Sequence, residues 1–176
     1  MEYNLNDYVN NIKGKVIMIC CNDCCAMSTI IHNENILVYT SFGNFISPEN
    51  KEDIDFFDFC IKNEGVATII IAGHFNCKII KHIWTNGTEN AKWINMQKSL
   101  RKLENEYDST ISVSENEKEI IRKYIFDQVN YISQNSFLER YLSSGKLIIK
   151  GIIIDDLNKN RVEELCKIPI KYNGIK

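Results

Sequence analysis

Four short apolar runs, continuous and not alternating, constrain this chain more than anything else in it: Lys15–Cys21, Asn35–Thr40, Ala67–Gly73 and Lys146–Asp155. A strand with one wet face alternates polar and apolar residues. Unbroken stretches of Ile, Val and Met instead mark strands covered on both sides, as in a parallel sheet between layers of helix. Parallel strands need crossover connections, and helical patterns fill the gaps between the runs. Ile54, Phe57, Cys60 and Ile61 share one helical face, and Gly65 follows as a stop signal. Ile120, Ile121, Tyr124, Ile125, Val129 and Ile132 repeat at helical spacing over a longer segment. Ala91–Glu104 carries polar and charged residues over much of its surface and reads as an exposed helix. A last short strand near Val162–Leu165 is expected at the edge, and Thr85–Thr88 and Asp155–Asn160 read as loops. The expected class is α/β: a central, mostly parallel β-sheet of about four to five strands flanked by helices.

The 176 residues suit one core, and no repeat, low-complexity tract or linker divides them, so residues 1–176 are expected to form a single domain. A net charge of −2 gives no reason to expect a nucleic-acid or anionic-membrane partner. Met1–Lys13 lacks the basic start and apolar run of a secretory signal. No apolar stretch approaches the roughly 20 residues that cross a bilayer. Seven cysteines, odd in number and clustered, point to metal ligation or packing in a reducing compartment, and hence to a cytoplasmic location.

Chemistry gathers at the carboxyl ends of two of the buried runs. Cys20-Cys21-Asn22-Asp23-Cys24-Cys25 follows the first, and Gly73-His74-Phe75-Asn76-Cys77 follows the third. In an open parallel sheet those ends form the ligand-binding rim, so neighbouring strands would bring the two segments together. A single cysteine or histidine at a strand end is usually a packing or surface residue. The joint occurrence of Cys-x-Asp and Gly-His-x-x-Cys is what points to a metal. Two cysteines and a histidine favour zinc, and three protein ligands leave a fourth position open for water, the arrangement of a catalytic site. Two thiolates donate more charge than imidazoles, which makes such a zinc a weaker Lewis acid than one held by three histidines.

These segments resemble those of the β-class carbonic anhydrases. Ile17-Met18-Ile19-Cys20-Cys21-Asn22-Asp23 is similar to the family's Cys-x-Asp-x-Arg segment, and Gly73-His74-Phe75-Asn76-Cys77 to its Gly-His-x-x-Cys segment. Gly43-Asn44-Phe45-Ile46-Ser47-Pro48 resembles the tail of its Arg-Asn-Ala-Gly-Asn stretch, and Phe56 to Gly73 its helix and third strand. Gly145 to Asp155 is similar to the late strand, so the resemblance runs from about residue 15 to 165, nearest to the compact, archaeal-like members. It implies Cys21, His74 and Cys77 as zinc ligands. Asp23 is implied to be the catalytic carboxylate that accepts a hydrogen bond from a zinc-bound hydroxide, or in closed forms is itself a ligand. It further implies reversible hydration of carbon dioxide to bicarbonate, and a homodimer or an assembly of dimers.

The chain departs from that family where activity is decided. Cys25 stands where the family has an arginine that pairs with the aspartate, so the Asp–Arg dyad is degenerate. A thiol cannot replace a guanidinium fork. Without it, Asp23 is expected to occupy the metal's fourth position. Lys78 replaces a glycine and Thr40-Ser41-Phe42 replaces Arg-Asn-Ala, both altering the cleft wall. For Cys20, Cys24 and Cys25 three readings stand: packing, ligation in place of Cys21, or a separate thiol site. Cys60 and Cys166 read as packing residues, Trp84 and Trp93 as packing or dimer-contact residues, His32 as a solvated turn residue and His82 as a surface or shuttle residue. Three functions follow from this. The first is a carbonic anhydrase; the second is a zinc-binding pseudoenzyme serving as an interaction or regulatory subunit. The third is a hydrolase of another small linear substrate, such as a carbon–sulfur compound.

Overall fold

The run from Val16 to Cys21 offers no side chain to water, and the structure, a computed structural model, exposes none of it. The structure describes residues 3–24, 26–30, 32–46, 50–90, 93–104, 113–158 and 160–168. The chain begins with a two-residue strand β1 (Tyr3–Asn4) and helix α1 (Leu5–Asn10), capped by the Asn4 side chain, which accepts from the Asp7 amide. Strand β2 (Lys15–Cys21), helix α2 (Met27–Ile30) and strand β3 (Ile36–Ser41) follow, then a 3₁₀ turn at Phe42–Asn44. Helix α3 (Lys51–Asn63) leads to strand β4 (Val66–His74) and helix α4 (Lys78–Asn86). Helices α5 (Ile94–Glu104), α6 (Val113–Ser133) and α7 (Ser136–Ser143) precede strands β5 (Ile148–Asp155) and β6 (Arg161–Ile168).

The sheet order is β1-β6-β5-β4-β2-β3, and β5, β4, β2 and β3 run parallel, as the α/β class requires. Among the described residues the sheet holds six strands where about four to five were expected. The additional strand, β1, is too short to leave a hydropathy pattern. Its pairing of Tyr3 with Val162 covers β6, which is therefore inside the sheet and twice the expected length. Strand β6 lies antiparallel to β5.

Alternate residues of the parallel strands enter two different cores. Ile17, Ile19, Cys21, Ile69 and Ile71 pack with Phe57 of α3 and with Tyr124 and Ile125 of α6. Val16, Met18, Cys20, Ile70 and Ala72 face the other way, against Leu5 and Val9 of α1 and Ile30 of α2. Each isoleucine buried this completely contributes about 1.5–3 kcal/mol. Helix α5 corrects the reading of an exposed helix: Met96, Leu100 and Leu103 are buried. Their spacing of four and three makes a narrow apolar stripe, which the surrounding charges hide in the sequence. Among the described residues no helix is long and apolar enough to cross a membrane.

Strand register sets the position of the rim. Cys20 pairs with Ala72, so Cys21 and His74 end adjacent strands at the same edge of the sheet. On the far side of β4, His74 pairs with Ile154, which brings the end of β5 beside it.

Candidate metal centre

Two turns carry the polar side chains off the ends of β2 and β4. After Cys21 the chain reverses through a bond from the Cys24 amide to the Cys21 carbonyl, at 2.9 Å, which turns Asp23 back over the sheet edge. After His74 a similar turn closes from the Cys77 amide to the His74 carbonyl, at 3.3 Å. Cys77 is the N-cap of α4, its sulfur accepting from the Ile80 amide at 3.4 Å. These two turns bring together one donor atom each from Cys21, Asp23, His74 and Cys77, all within 4.8 Å of one another. Cys21, His74 and Cys77 are buried and Asp23 is half-buried.

Cys77 Sγ lies 3.4 Å from Cys21 Sγ and 3.4 Å from Asp23 Oδ1, and Asp23 Oδ1 lies 3.1 Å from His74 Nε2. The edges of a tetrahedron around zinc, at ordinary Zn–S and Zn–N or Zn–O bond lengths, measure about 3.3–3.8 Å. The donor set has both the composition and the spacing for a zinc ion, slightly contracted. Backbone amides already favour thiolates at both sulfurs: Gly43 N–H points at Cys21 Sγ at 3.1 Å, as Ile80 N–H does at Cys77.

Electrostatics agree with that geometry. The Cys21 thiol is brought down to about 6, chiefly by the hydrogen bond from Cys77, against the opposing effect of burial. The same pairing pushes the Cys77 thiol far up. Burial works against a charged His74, yet the Cys21 thiolate, with Cys24 and Asp23 beside it, pushes the imidazole up to about 9. Burial likewise opposes ionisation of Asp23, but hydrogen bonds from Cys21 and from the Lys78 amide hold its carboxyl below the ordinary range.

Each residue singled out in the sequence has a definite place. Cys20 is buried on the opposite face of the sheet with Cys24, to which it is hydrogen bonded, and neither belongs to the converging group. Cys25, together with Ser47 and Pro48 of the third resembling segment, lies outside the described residues. Cys60 is buried and Cys166 half-buried, His82 and His32 are exposed, and Trp84 and Trp93 pack against the core. Trp93 also stacks on Phe42, ring centroids 4.9 Å apart.

Asp23 takes no guanidinium partner among the described residues. Its Oδ2 accepts instead from the Lys78 amide at 2.6 Å, while Arg122 is committed to Glu163 and Glu119 and Arg140 to Asp58. Sequence reasoning missed this amide. It missed also that Asn44, fully buried, donates from Nδ2 to the Ala72 carbonyl at 2.6 Å and so fixes the 3₁₀ turn that delivers Gly43. It missed Asp156, whose Oδ2 lies 3.6 Å from His74 Nδ1. The rim rule that selected Cys21 and His74 applies equally to an acidic pair at the end of β5, and was the available signal for Asp156.

The sequence model described as carbonic anhydrase matches residues 16–160 of this chain. No curated protein matches it in sequence. Among solved structures it is similar to the β-carbonic anhydrase CafD of Aspergillus fumigatus, with 20% identity, coverage of 87% of this chain and 90% of that one, and a TM-score of 0.75. It is also similar to one of two tetrameric β-carbonic anhydrases from Sordaria macrospora, with 17% identity, 92% and 86% coverage and a TM-score of 0.74. A third likeness is to the Coccomyxa β-carbonic anhydrase in complex with acetazolamide, with 16% identity, 93% and 78% coverage and a TM-score of 0.71. At these identities the structural likeness speaks for the fold.

Proposed function

This chain belongs to the β-class carbonic anhydrase family, and on that premise we propose that it interconverts carbon dioxide and bicarbonate at a zinc ion held by Cys21, His74 and Cys77. The observation that carries the reading is the convergence of four donor atoms within 4.8 Å from two turns that are distant in sequence. Zinc bound there supplies the Lewis acidity that turns water into a nucleophile near neutral pH. The rest falls to the chain's own residues. The Gly43 and Ile80 amides donate to the sulfurs of Cys21 and Cys77, and would support both as thiolates once zinc displaced the Cys77 proton. Asp23 Oδ1 would accept a hydrogen bond from the attacking oxygen once the carboxylate swung aside.

A second reading rests on where that carboxylate sits. Asp23 Oδ1 stands at the fourth corner of the donor group, held there through Oδ2 by the Lys78 amide. In this state water has no position, and the chain is a closed, zinc-bound pseudoenzyme acting as an interaction or regulatory subunit. Hydration is placed first because the open-site ligand set and Asp23 are all retained. The functional unit is taken as one domain assembling as a homodimer or a set of dimers, a reading supported by the tetrameric Sordaria proteins. A cytoplasmic location is supported by cysteines left as free thiols.

Metal analysis and stopped-flow hydration assays, at neutral and mildly alkaline pH, test these readings together. Activity in the wild type that is lost in Asp23→Ala favours the enzyme. An inert wild type whose Cys25→Arg variant gains rate favours the closed pseudoenzyme. Absence of stoichiometric zinc removes both.

A further inference from the structure

We propose that Asp156 is a positioning residue for this metal centre: its carboxylate takes the Nδ1 edge of His74 and thereby commits Nε2 to the metal. The inference rests on the metal-centre reading above and concerns a residue outside the four-donor group.

A neutral imidazole carries its proton on one nitrogen and its lone pair on the other. Nε2 of His74 faces Asp23 Oδ1 and belongs to the group of converging donor atoms, so to bind a metal there the imidazole must present its lone pair at Nε2 and keep its proton on Nδ1. That Nδ1 is buried and makes no hydrogen bond among the described residues. The fold brings a carboxylate to the same edge. His74 pairs with Ile154 across β4 and β5, so the chain leaving β5 passes over the His74 turn two residues later. The Asn76 side chain donates to Asp156 Oδ1 at 2.9 Å and fixes the group. Its other oxygen then stands 3.6 Å from Nδ1, with the side chain only 9% exposed. At that distance the pair is just short of a hydrogen bond, and a shift of about 0.7 Å completes it. Moving the imidazole toward a metal at Nε2 asks for a fixed acceptor behind it, and Asp156 is placed to be that acceptor. Such partners set the tautomer and raise the basicity of a metal-binding histidine; losing one typically costs about 10–100-fold in metal affinity.

Zinc affinity measured by chelator competition on the full chain, beside the melting temperature of the metal-free protein, tests this. Asp156→Asn keeps an oxygen for Asn76 but can turn an amide N–H₂ toward Nδ1, which favours the wrong tautomer. The expected result is a 10–100-fold loss of zinc affinity, an unchanged metal-free melting temperature, and recovery of most of the affinity in Asp156→Glu. Unchanged affinity in Asp156→Asn overturns the inference. A loss of affinity matched by a fall in the metal-free melting temperature also overturns it, because Asp156 would then merely tie two loops together. So does an Asp156→Glu variant no better than Asp156→Asn. A wild type that binds no zinc sinks the metal-centre reading and this inference with it, whereas a zinc-binding wild type with an indifferent Asp156→Asn sinks this inference alone.

Discussion

The Lys78 amide donates to Asp23 Oδ2 at 2.6 Å, and so a backbone group at the start of a helix, with no guanidinium among the described residues, holds this carboxylate. The amide is one of the unpaired N–H groups of the first turn of α4, where the helix dipole also favours an anion. It holds the carboxylate with Oδ1 turned toward His74 and Cys77. Proline is tolerated at the first helical position because that N–H has no partner within the helix. Cys77 before it has φ −59 and ψ 106, close to the extended backbone that a following proline prefers. Lys78→Pro should therefore leave α4 intact and remove this one hydrogen bond. The expected outcome is retained zinc, a fourth ligand that changes from carboxylate toward water in X-ray absorption, and a several-fold rise in hydration rate near neutral pH. An unchanged metal spectrum would mean that the amide does not hold Asp23 on the metal.

Proton release on zinc binding should follow from how charge is arranged in the metal-free site. The Cys21 contribution to stability is complete above the ordinary thiol value of 9.0 and is lost as pH falls through about 6. The His74 contribution has the opposite sign. It is complete below its ordinary value of 6.5 and is lost as pH rises through about 9. Between those limits folding only moves a proton from sulfur to imidazole, so this pair adds no pH slope to stability. Zinc, however, must displace the proton of His74 and the strongly held proton of Cys77. Calorimetry in buffers of different ionisation enthalpy should find close to two protons released per zinc near neutral pH, and affinity rising with pH. Release of none would mean that the thiolate–imidazolium pair is not the resting state.

How much of this was legible depended on whether a feature is local. The run Lys15–Cys21 was readable to its ends because burial on both faces leaves a continuous signature, and His74 and Cys77 were readable because they follow another such run. The stripe of Met96, Leu100 and Leu103 was hidden among the charges of α5, and β1 has too few residues to form any pattern. The want of an arginine near Asp23 was visible, but its replacement was not, since a backbone amide has no letter in the sequence. The approach of Asp156 to His74 depends on the register of β4 against β5, which only the folded sheet fixes.

Gly43 joins the fold to the metal centre through its own backbone. Its φ of +60 lies in the left-handed region, and a Cβ there would stand 2.3 Å from Met96 Cε. Its N–H reaches Cys21 Sγ at 3.1 Å. Gly43→Ala should cost about 1–3 kcal/mol of stability through strain and displacement of Met96. It should also weaken zinc binding, because the turn that aims the amide must shift. Denaturant unfolding of the metal-free protein reads the first effect and chelator competition the second. Loss of stability with unchanged zinc affinity would show that the amide does not support the Cys21 thiolate.

Asn44 makes the same turn testable from the side chain. It combines φ +60 with complete burial, and its Nδ2 donates to the Ala72 carbonyl, two residues before His74. Two costs are mixed in any substitution here, and two variants separate them. Asn44→Gly relieves the left-handed backbone and loses only the buried hydrogen bond, a cost of about 1–3 kcal/mol. Asn44→Ala loses the bond and keeps the backbone strain, which adds about 1 kcal/mol more. The order of stability by denaturant unfolding should be wild type, then Asn44→Gly, then Asn44→Ala. A glycine variant as stable as wild type would mean that the bond to Ala72 does not anchor the turn. Equal losses in the two variants would mean that the left-handed backbone carries no strain. If the predicted order holds, zinc affinity should follow it, since the same turn aims the Gly43 amide at Cys21.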